Sequence, residues 1–444
     1  MKRDLLDILL KWSKAPNRKP ILLRGARQVG KSWLVRELGK SFQNYVELNF
    51  EENPALRNFF EGNLDPKEII TQLSNYLGVS IVPGNTLLFF DEIQACPRAI
   101  TSLRYFYEKM PTLHTLGAGS LLEFDLQHIS MPVGRIEHLY LYPMSFGEFL
   151  GALGREDLRT HLKTNGWLKP LPDATHKRLL SFVRDYTIMG GMPEVVQKYR
   201  ATQNVQECQK IQTSLIETYQ KDFIKYAKRS QIKYLRLLFE AIPLQLGNKF
   251  IYQHISQDIK SREFSIALDL LEMAGIVYRV YHSSCSGIPL GATIDLKKFK
   301  VIFFDIGLAL RILGMDIKSL FLNPDITLIN KGAIAELFVG IELITYQDPY
   351  QKAKLYYWQR EKRGSQSEVD YIISISDQIV PVEVKSGHHG RLYSLHCFLE
   401  EKKVKYGIKI SQNVYASSEK IIEIPFYGIE NILREGRLDG GLLK

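Results

Sequence analysis

The sequence predicts an α/β protein built on a parallel sheet flanked by helices, and two observations support this fold class. Over residues 1–150, short apolar runs alternate with amphipathic segments, which is the pattern of strands and helices that follow one another in a parallel sheet. Within that region, the segment GARQVGKS at Gly25–Ser32 lies between a predicted strand and a predicted helix. This placement is typical of a phosphate-binding loop.

The composition is that of an ordinary globular protein. The chain has 444 residues with a formal net charge of +10, and 45% of the residues are apolar, which excludes long disorder, collagen-like repeats and coiled-coil rods. About two to four domains are expected. No run approaches the roughly 18 apolar residues that cross a membrane, so we expect a soluble, cytoplasmic protein without a membrane partner. The four cysteines form no CxxC pair, so no zinc site is predicted.

The first 150 residues are predicted to carry the sheet and its helices. The expected strands are Ile21–Arg24, Tyr45–Phe50, Thr86–Phe90, one from Thr112 and one from Ile136. Helices are expected to begin at Lys31, at Pro66 and at Pro97. Asp65 is suited to cap the second of these helices, and proline is favoured in a first turn.

Three further regions are predicted from the changing periodicity. Residues 151–230 form a helical lid or linker, broken at Gly190, Gly191 and Pro193, which make either a hinge or a simple turn between helices. Residues 231–300 show helix, turn, helix and apolar alternation, which suits a winged helix-turn-helix. Residues 301–444 return to α/β character, with a helix at Ala333–Leu343, strands in KLYYW, VDYIISI and IVPVEVK, and a last helix from Arg391.

The GARQVGKS segment fits the GxxxxGK[ST] pattern letter for letter. Its backbone N–H groups and the start of the following helix would hold the phosphates of ATP. Lys31 would reach the β and γ phosphates, and the Ser32 hydroxyl would bind Mg²⁺. The predicted nucleotide-binding residues of the loop are Gly25, Ala26, Arg27, Gln28, Val29, Gly30, Lys31 and Ser32. The alternative is a glycine-rich turn that binds no ligand.

Two acids follow a buried strand in LLFFDEIQ. Asp91 is expected to be the Walker B residue that holds Mg²⁺ beside Ser32, and Glu92 is placed to polarise an attacking water. A solvated acidic strand end is the alternative for this pair.

Two further candidates follow the next strand. Ser120 ends GAGS, where a γ-phosphate sensor belongs, although it could equally cap the next helix. Arg135 precedes the last strand of this region and is a candidate arginine finger, with a plain surface arginine as the alternative.

These segments resemble a known family. The phosphate loop, FFDEIQ, GAGS and the GR followed by YPMSFGEFL look like a bacterial and archaeal group of AAA-superfamily ATPases with a C-terminal domain of unknown function. The resemblance continues through GGMPEVV, YQKDFIKY and IVPVEVKSG. It implies an ATPase core, a helical lid, a winged helix and a C-terminal domain similar to restriction endonucleases. It implies no established substrate.

A second group of candidate residues lies near the end of the chain. Glu383 and Lys385 share one face of a predicted strand because side chains alternate there, and Asp370 precedes them by twelve intervening residues. Two carboxylates can hold Mg²⁺ while a lysine steadies phosphate charge. Glu336, on a predicted helix, is a third acid for the metal. The arrangement is similar to the PD-(D/E)XK nuclease pattern without its proline, and solvated strand charges are the alternative.

Basic residues suggest a nucleic-acid partner, DNA or RNA. One group interleaves with Tyr356, Tyr357 and Trp358, and a second precedes the winged helix. The basic members are Lys352, Lys354, Arg360, Lys362 and Arg363 in the first group, and Lys221, Lys225, Lys228, Arg229, Lys233 and Arg236 in the second. An amphipathic strand with a charged outer face is the alternative for the first group.

The sequence therefore predicts an ATP-driven machine that binds, and could cleave, nucleic acid, with a homo-oligomer as an open expectation. Two alternatives stay open. One is a nucleotide-switched adaptor whose C-terminal domain is catalytically idle. The other is a DNA-binding regulator built on the winged helix.

Overall fold

The computed structural model describes residues 1–125, 134–166, 170–315, 332–361, 367–387, 392–418 and 420–434. It contains one sheet of five strands and one of eight strands, both packed with helices. The α/β class, with a parallel sheet flanked by helices at the start of the chain, is confirmed.

The five-stranded sheet comes from the N-terminal region, and every strand pair in it is parallel. Its strands are β1 (Ile21–Arg24), β2 (Asn44–Asn49), β3 (Thr86–Asp91), β4 (His114–Ala118) and β5 (Glu137–Tyr140). They lie in the order β2-β3-β4-β1-β5. All five predicted strands are present, and β3 and β4 are buried along their whole length because helices cover both faces.

Five helices lie in this region, and three of them begin where the sequence predicts, at Lys31, Pro66 and Pro97. They are α1 (Leu5–Lys14), α2 (Lys31–Gly39), α3 (Pro66–Leu77), α4 (Pro97–Lys109) and α5 (Leu122–Asp125). The predicted cap is present, since Asp65 Oδ1 accepts a hydrogen bond from the Lys67 N–H at 3.0 Å. The start of α2 directly follows the phosphate loop, which places the loop at the carboxyl edge of the sheet.

A helical region follows, as expected. It comprises α6 (Phe146–Ala152), α7 (Glu156–His161), α8 (Asp173–Met189), α9 (Pro193–Thr202) and α10 (Val205–Tyr226). Gly190 and Gly191 form the turn between α8 and α9. A Cβ on Gly190 would lie 2.3 Å from a carboxylate oxygen of Asp305, and the Gly191 N–H donates to that carboxylate at 2.7 Å. The simple-turn interpretation accounts for these glycines.

The next segment has the predicted order of helix, turn, helix and strands. It contains α11 (Ile232–Ala241), α12 (Ser261–Met273), β6 (Val277–Ser283) and β7 (Ile294–Phe303). Between the helices, YQHISQDI forms only a short 3₁₀ turn, at Tyr252–His254. β6 pairs with β7 and also, in parallel, with β8 (Leu355–Gln359), so this hairpin is part of the larger sheet. The boundary predicted at residue 300 falls inside β7, and the division into domains stays a prediction.

The remaining elements complete the larger sheet. They are α13 (Ile306–Ile312), α14 (Gly332–Thr345), β9 (Glu368–Ile375), β10 (Gln378–Val384), α15 (Tyr393–Lys402), β11 (Gly407–Ser411), β12 (Ala416–Ser417), β13 (Ile421–Pro425) and α16 (Ile429–Arg434). The strand order is β12-β13-β11-β10-β9-β8-β6-β7. The expectation that the helix near Arg391 is the last element was wrong. The buried alternating isoleucines of β11 and β13 form two further core strands after it.

Across the described ranges, no helix combines the length and the apolar character needed to span a membrane.

Candidate functional site

The phosphate loop connects β1 to α2 and depends on two glycines. Gly25 has φ +145°, and a Cβ there would lie 2.1 Å from the Leu141 carbonyl oxygen. Gly30 has φ +96° and directly precedes the first residue of α2. Residues that carry a side chain rarely adopt such backbone conformations, so glycine is required for this loop to curl around the start of the helix. Gln28 also has a positive φ, of 61°.

Lys31 is buried at the base of the loop. Its amine donates to the carbonyl oxygens of Gly25 and Ala26, at 3.0 and 2.8 Å. Burial lowers the pKa of Lys31 to about 8, although the charges of Glu92 and Asp91 oppose the shift. The lysine is therefore held on its own loop, next to the backbone that would surround a phosphate group.

Ser32 and Asp91 meet as predicted. The Ser32 hydroxyl donates to Asp91 Oδ1 at 3.0 Å, and Asp91 is 4% exposed at the end of β3. Burial raises the pKa of Asp91 to about 6, with a further contribution from the charge of Glu92. A hydroxyl and a buried carboxylate side by side are hard oxygen donors, so they fit Mg²⁺.

Glu92 follows Asp91 in a strained conformation, with φ +46°. Its carboxylate accepts a hydrogen bond from Gln94 Nε2 at 2.6 Å. Glu92, Lys31 and Ser32 line one cavity of about 550 Å³ above the loop. The far wall of this cavity comes from the N-terminus and the helical region, and it includes Met1, Met144, Pro193, Glu194, Gln197 and Arg200.

Side chains far away in the sequence hold the loop from outside. Arg3 donates to the Val29 carbonyl at 2.7 Å. The Arg27 guanidinium contacts both oxygens of Asp222 on α10, at 2.5 and 2.6 Å. The Tyr219 hydroxyl, one turn earlier, donates to the Arg27 carbonyl. Sequence reasoning missed Arg3, Tyr219 and Asp222 as loop contacts, since no local motif signals a partner so distant in the chain.

The C-terminal half also touches the loop. Gly275, in the turn between α12 and β6, has φ +73°, and a Cβ there would lie 3.3 Å from the Ala26 nitrogen. The turn that leads into β6 therefore lies against the phosphate loop, and β6 and β7 belong to the larger sheet.

The two remaining nucleotide-site candidates lie at opposite ends of the strands of the first sheet. Ser120 is buried just after β4, near the carboxyl edge that carries the loop. Arg135 precedes β5, whose Glu137 pairs with Ile21 at the start of β1, so it lies at the edge away from the loop. Arg135 is 45% exposed and donates to Glu108 at 2.8 Å. Ser120 lines a smaller cavity with Gly25 and Ala26 of the loop, not the cavity of Lys31 and Glu92, and Arg135 lies away from both.

The C-terminal candidates lie on adjacent antiparallel strands. Val382 of β10 pairs with Tyr371 of β9, which places Glu383 beside Asp370, and side chains of such neighbours share a face. Asp370 Oδ2 accepts from the Val384 N–H at 2.8 Å, and the Lys385 amine donates to Glu383 Oε1 at 2.6 Å. The other oxygen, Glu383 Oε2, is buried and has no hydrogen-bond donor among the described residues.

A lysine that the sequence did not indicate joins this group. The amine of Lys300 on β7 donates to Glu336 Oε1 at 2.8 Å and lies 2.6 Å from Glu368 Oε1 on β9. Glu336 and Lys300 are both buried. We call the four acids Glu336, Glu368, Asp370 and Glu383, with Lys300 and Lys385, the carboxylate cluster.

Burial is the main cause of the raised pKa values of the acids in the carboxylate cluster. It raises the pKa of Glu336 to about 7 and that of Glu383 to about 8, and the charge of Asp370 adds to both shifts. The pKa of Asp370 is also raised by burial. Among the described residues, no three His, Cys, Asp or Glu side chains are arranged to hold one metal ion. The unpaired Glu383 oxygen and the neighbouring Asp370 fit a two-carboxylate Mg²⁺ site, which is common for this ion.

The basic groups have different surroundings. Tyr357 and Trp358 are at most 2% exposed, so they pack in the core and cannot stack on bases, which supports the amphipathic-strand alternative there. Lys362 and Arg363 lie outside the described residues. The second group, Lys221, Lys225, Lys228, Arg229, Lys233 and Arg236, is exposed along the end of α10 and the start of α11.

Three family models match separate parts of the chain. Residues 17–150 match an AAA domain, residues 181–319 a domain of unknown function (DUF8612) and residues 331–427 another domain of unknown function (DUF4143). The search of curated proteins gave no match.

Solved structures show distant similarity. The Walker-type ATPase PabY2304 of Pyrococcus abyssi is 16% identical, with a TM-score of 0.46, over 70% of this chain and 95% of that chain. The Aeropyrum pernix Orc1 protein in complex with DNA is 12% identical, with a TM-score of 0.28, over 72% of this chain and 92% of that chain. A point variant of RuvB from Thermotoga maritima is 15% identical, with a TM-score of 0.29, over 62% of this chain and 87% of that chain. Similarity at these scores carries no conclusion about this chain.

The family match over residues 17–150 agrees with the geometry of the loop. The loop joins a parallel strand to a helix, Lys31 lies at its base, and Ser32 contacts the buried Asp91. Residues 17–150 are therefore similar to an AAA domain, and their loop has the geometry of a phosphate-binding loop.

Proposed function

We propose that the chain binds ATP with Mg²⁺ and hydrolyses it, and that its C-terminal half binds nucleic acid. The observation that carries this proposal is the contact between Ser32 and Asp91 beside the buried amine of Lys31, at the floor of the cavity. The expected nucleotide-binding residues are those of the loop, with Ser120 at its edge.

Each residue has a separate role in this proposal. Lys31 exchanges its two carbonyl partners for phosphate oxygens, which a buried cation attracts strongly. Ser32 and Asp91 hold Mg²⁺, which neutralises charge on the phosphates. Glu92 orients the attacking water from the same cavity wall. Met1, Met144 and Pro193 supply apolar surface for the base.

The nucleic-acid part of the proposal depends on the exposed basic residues of α10 and α11, which offer cations to a phosphate backbone. Helix α12, which would enter a groove in a winged helix, is unsuited to that role. It carries three acids, Glu263, Asp269 and Glu272, against one basic residue, Arg262, so its own charge is negative. We therefore place the nucleic acid on the basic residues at the end of α10 and in α11, at the start of the C-terminal half.

ATP turnover of the full chain, with and without duplex DNA, tests this function. We expect Lys31→Ala to lose turnover and to bind nucleotide more weakly, because the phosphates lose their cation. Glu92→Gln is expected to keep binding and to lose turnover by about a hundredfold or more, since only water activation is removed. Lys40→Ala, an exposed lysine just after the same helix, is the matched control and should behave as the parent does.

Undiminished turnover in both variants would overturn the ATPase proposal. Turnover without any response to nucleic acid would instead favour the nucleotide-switched adaptor.

A second candidate function is metal-dependent cleavage of nucleic acid by the carboxylate cluster. The unpaired, buried Glu383 oxygen beside Asp370 favours it. Bound there, Mg²⁺ would polarise a phosphoryl oxygen and a water. Asp370 and Glu383 would hold the ion, and the Lys385 amine would steady charge on the phosphate.

A further inference from the structure

Lys300 is unusual among the lysines that the structure describes because its amine is almost completely buried between two carboxylates. Its side chain is 2% exposed, with Glu336 at 2.8 Å and Glu368 at 2.6 Å. The face of the Tyr357 ring lies 5.3 Å from the same amine. A buried cation of this kind is stable only when opposite charges surround it.

Two of the four acids contact the Lys300 amine directly, and the other two make their hydrogen bonds elsewhere. Glu336 and Glu368 contact its amine, whereas Asp370 and Glu383 contact a backbone N–H and Lys385. Glu383 Oε2 alone in this group is a buried oxygen without a donor among the described residues. A buried carboxylate oxygen without a donor is suited to bind a cation.

The net charge of the carboxylate cluster also fits one divalent cation. Four carboxylates face two amines, so two negative charges remain when all groups are ionised. One divalent cation balances that excess, and two would overcompensate it. Lys409 and Glu423, next on the same sheet, pair with each other at 2.7 Å and change nothing in this balance.

We propose that the Lys300 amine takes the place of a second metal ion, so that the carboxylate cluster binds one divalent cation, on Asp370 and Glu383. Glu336 is then a partner of Lys300 and does not hold the metal. This inference rests on the metal-binding part of the second candidate function.

Mn²⁺ binding to the full chain without nucleotide tests the inference, with free Mn²⁺ followed by electron paramagnetic resonance. We expect one bound ion in the parent that Asp370→Ala removes. Lys300→Met should bind two, because Glu336 and Glu368 lose their cation and become available. Lys298→Met is the matched control on the same strand, where the half-buried lysine contacts Glu361 at 2.9 Å, and it should bind one ion.

A single Asp370-dependent ion in Lys300→Met overturns the inference, and so does no such ion in the parent. Circular dichroism checks that Lys300→Met is folded. If it is not, Glu368→Gln decides, since retention of the ion supports the inference and its loss overturns it. ATP turnover of the parent is a separate measurement, so a chain that hydrolyses ATP but fails the Mn²⁺ test overturns only this inference.

Discussion

At the residue scale, the carboxylate cluster separates the roles of neighbouring side chains. Asp370→Ala and Glu383→Ala should each abolish Mg²⁺-dependent nicking of plasmid DNA while leaving DNA binding intact, because they remove the oxygens offered to the metal. Lys385→Ala should lose nicking by about a hundredfold and keep the metal, because its amine only stabilises charge. Glu400→Ala, an exposed acid on α15, is the control. Full nicking by Asp370→Ala would rule out this site.

Sequence reasoning located individual residues well where spacing along the chain sets their geometry. Lys31 and Ser32 belong to one loop, and Asp91 ends an adjacent parallel strand, so the Ser32–Asp91 contact could be predicted. Lys300 could not, because it reaches Glu368 only through the pairing of β7, β6, β8 and β9, and Glu336 only through the packing of α14 on β7. In the sequence it is one of several lysines in a basic strand.

At the element scale, the end of α14 supplies hydrogen-bond acceptors to the first turn of α6. Glu342 Oε1 accepts from the Phe146 N–H at 2.9 Å, and the Tyr346 hydroxyl accepts from the Gly147 N–H at 3.2 Å. These are N–H groups of a first helical turn, which lack partners within their own helix. The C-terminal half therefore caps a helix that follows the first sheet directly.

This contact predicts a pH dependence of stability. Burial raises the pKa of Glu342 from 4.5 to about 8. The folded chain then binds more protons than the unfolded chain between those values, so the free energy of unfolding falls as the pH rises through them. Glu342→Gln keeps the acceptor and removes this dependence, which amounts to at most about 1.4 kcal/mol per pH unit.

Urea unfolding of Glu342→Gln and of the exposed control Glu400→Gln, measured from pH 5 to 8, checks this. The difference from the parent should grow with pH for Glu342→Gln alone. A constant difference would contradict the prediction.

Among the elements, the first sheet was predictable because each strand is a short apolar run set off by helical periodicity. The strands after α15 were missed for a physical reason. Gly407–Ser411 and Ile421–Pro425 are five residues each, with polar residues between isoleucines, and only their parallel pairing with β10 and with each other buries them.

At the scale of the whole molecule, Arg135 cannot reach its own phosphate loop. The loop follows the carboxyl end of β1, and Arg135 lies beyond its amino end. These two ends are about 13 Å apart, the length of four strand residues. If Arg135 acts in hydrolysis, it acts on nucleotide held by a neighbouring copy of the chain.

Mixing variants tests this. Arg135→Ala should slow hydrolysis with little loss of nucleotide affinity, and mixtures with Lys31→Ala should recover part of the activity, because each copy supplies what the other lacks. Arg104→Ala, whose side chain contacts the same Glu108, is the control. Mixtures that assemble without recovery would contradict action between copies.

The shared hairpin β6–β7 limits how the chain can be divided for experiments. A cut at residue 300 would expose the edge of β8 and the buried residues Val277 and Val280 of β6. Open apolar strand edges pair with other chains, so both fragments would tend to aggregate. Separate expression of the two halves would then measure the solubility of the fragments. An inactive fragment would not show which half carries an activity, because aggregation alone would inactivate it.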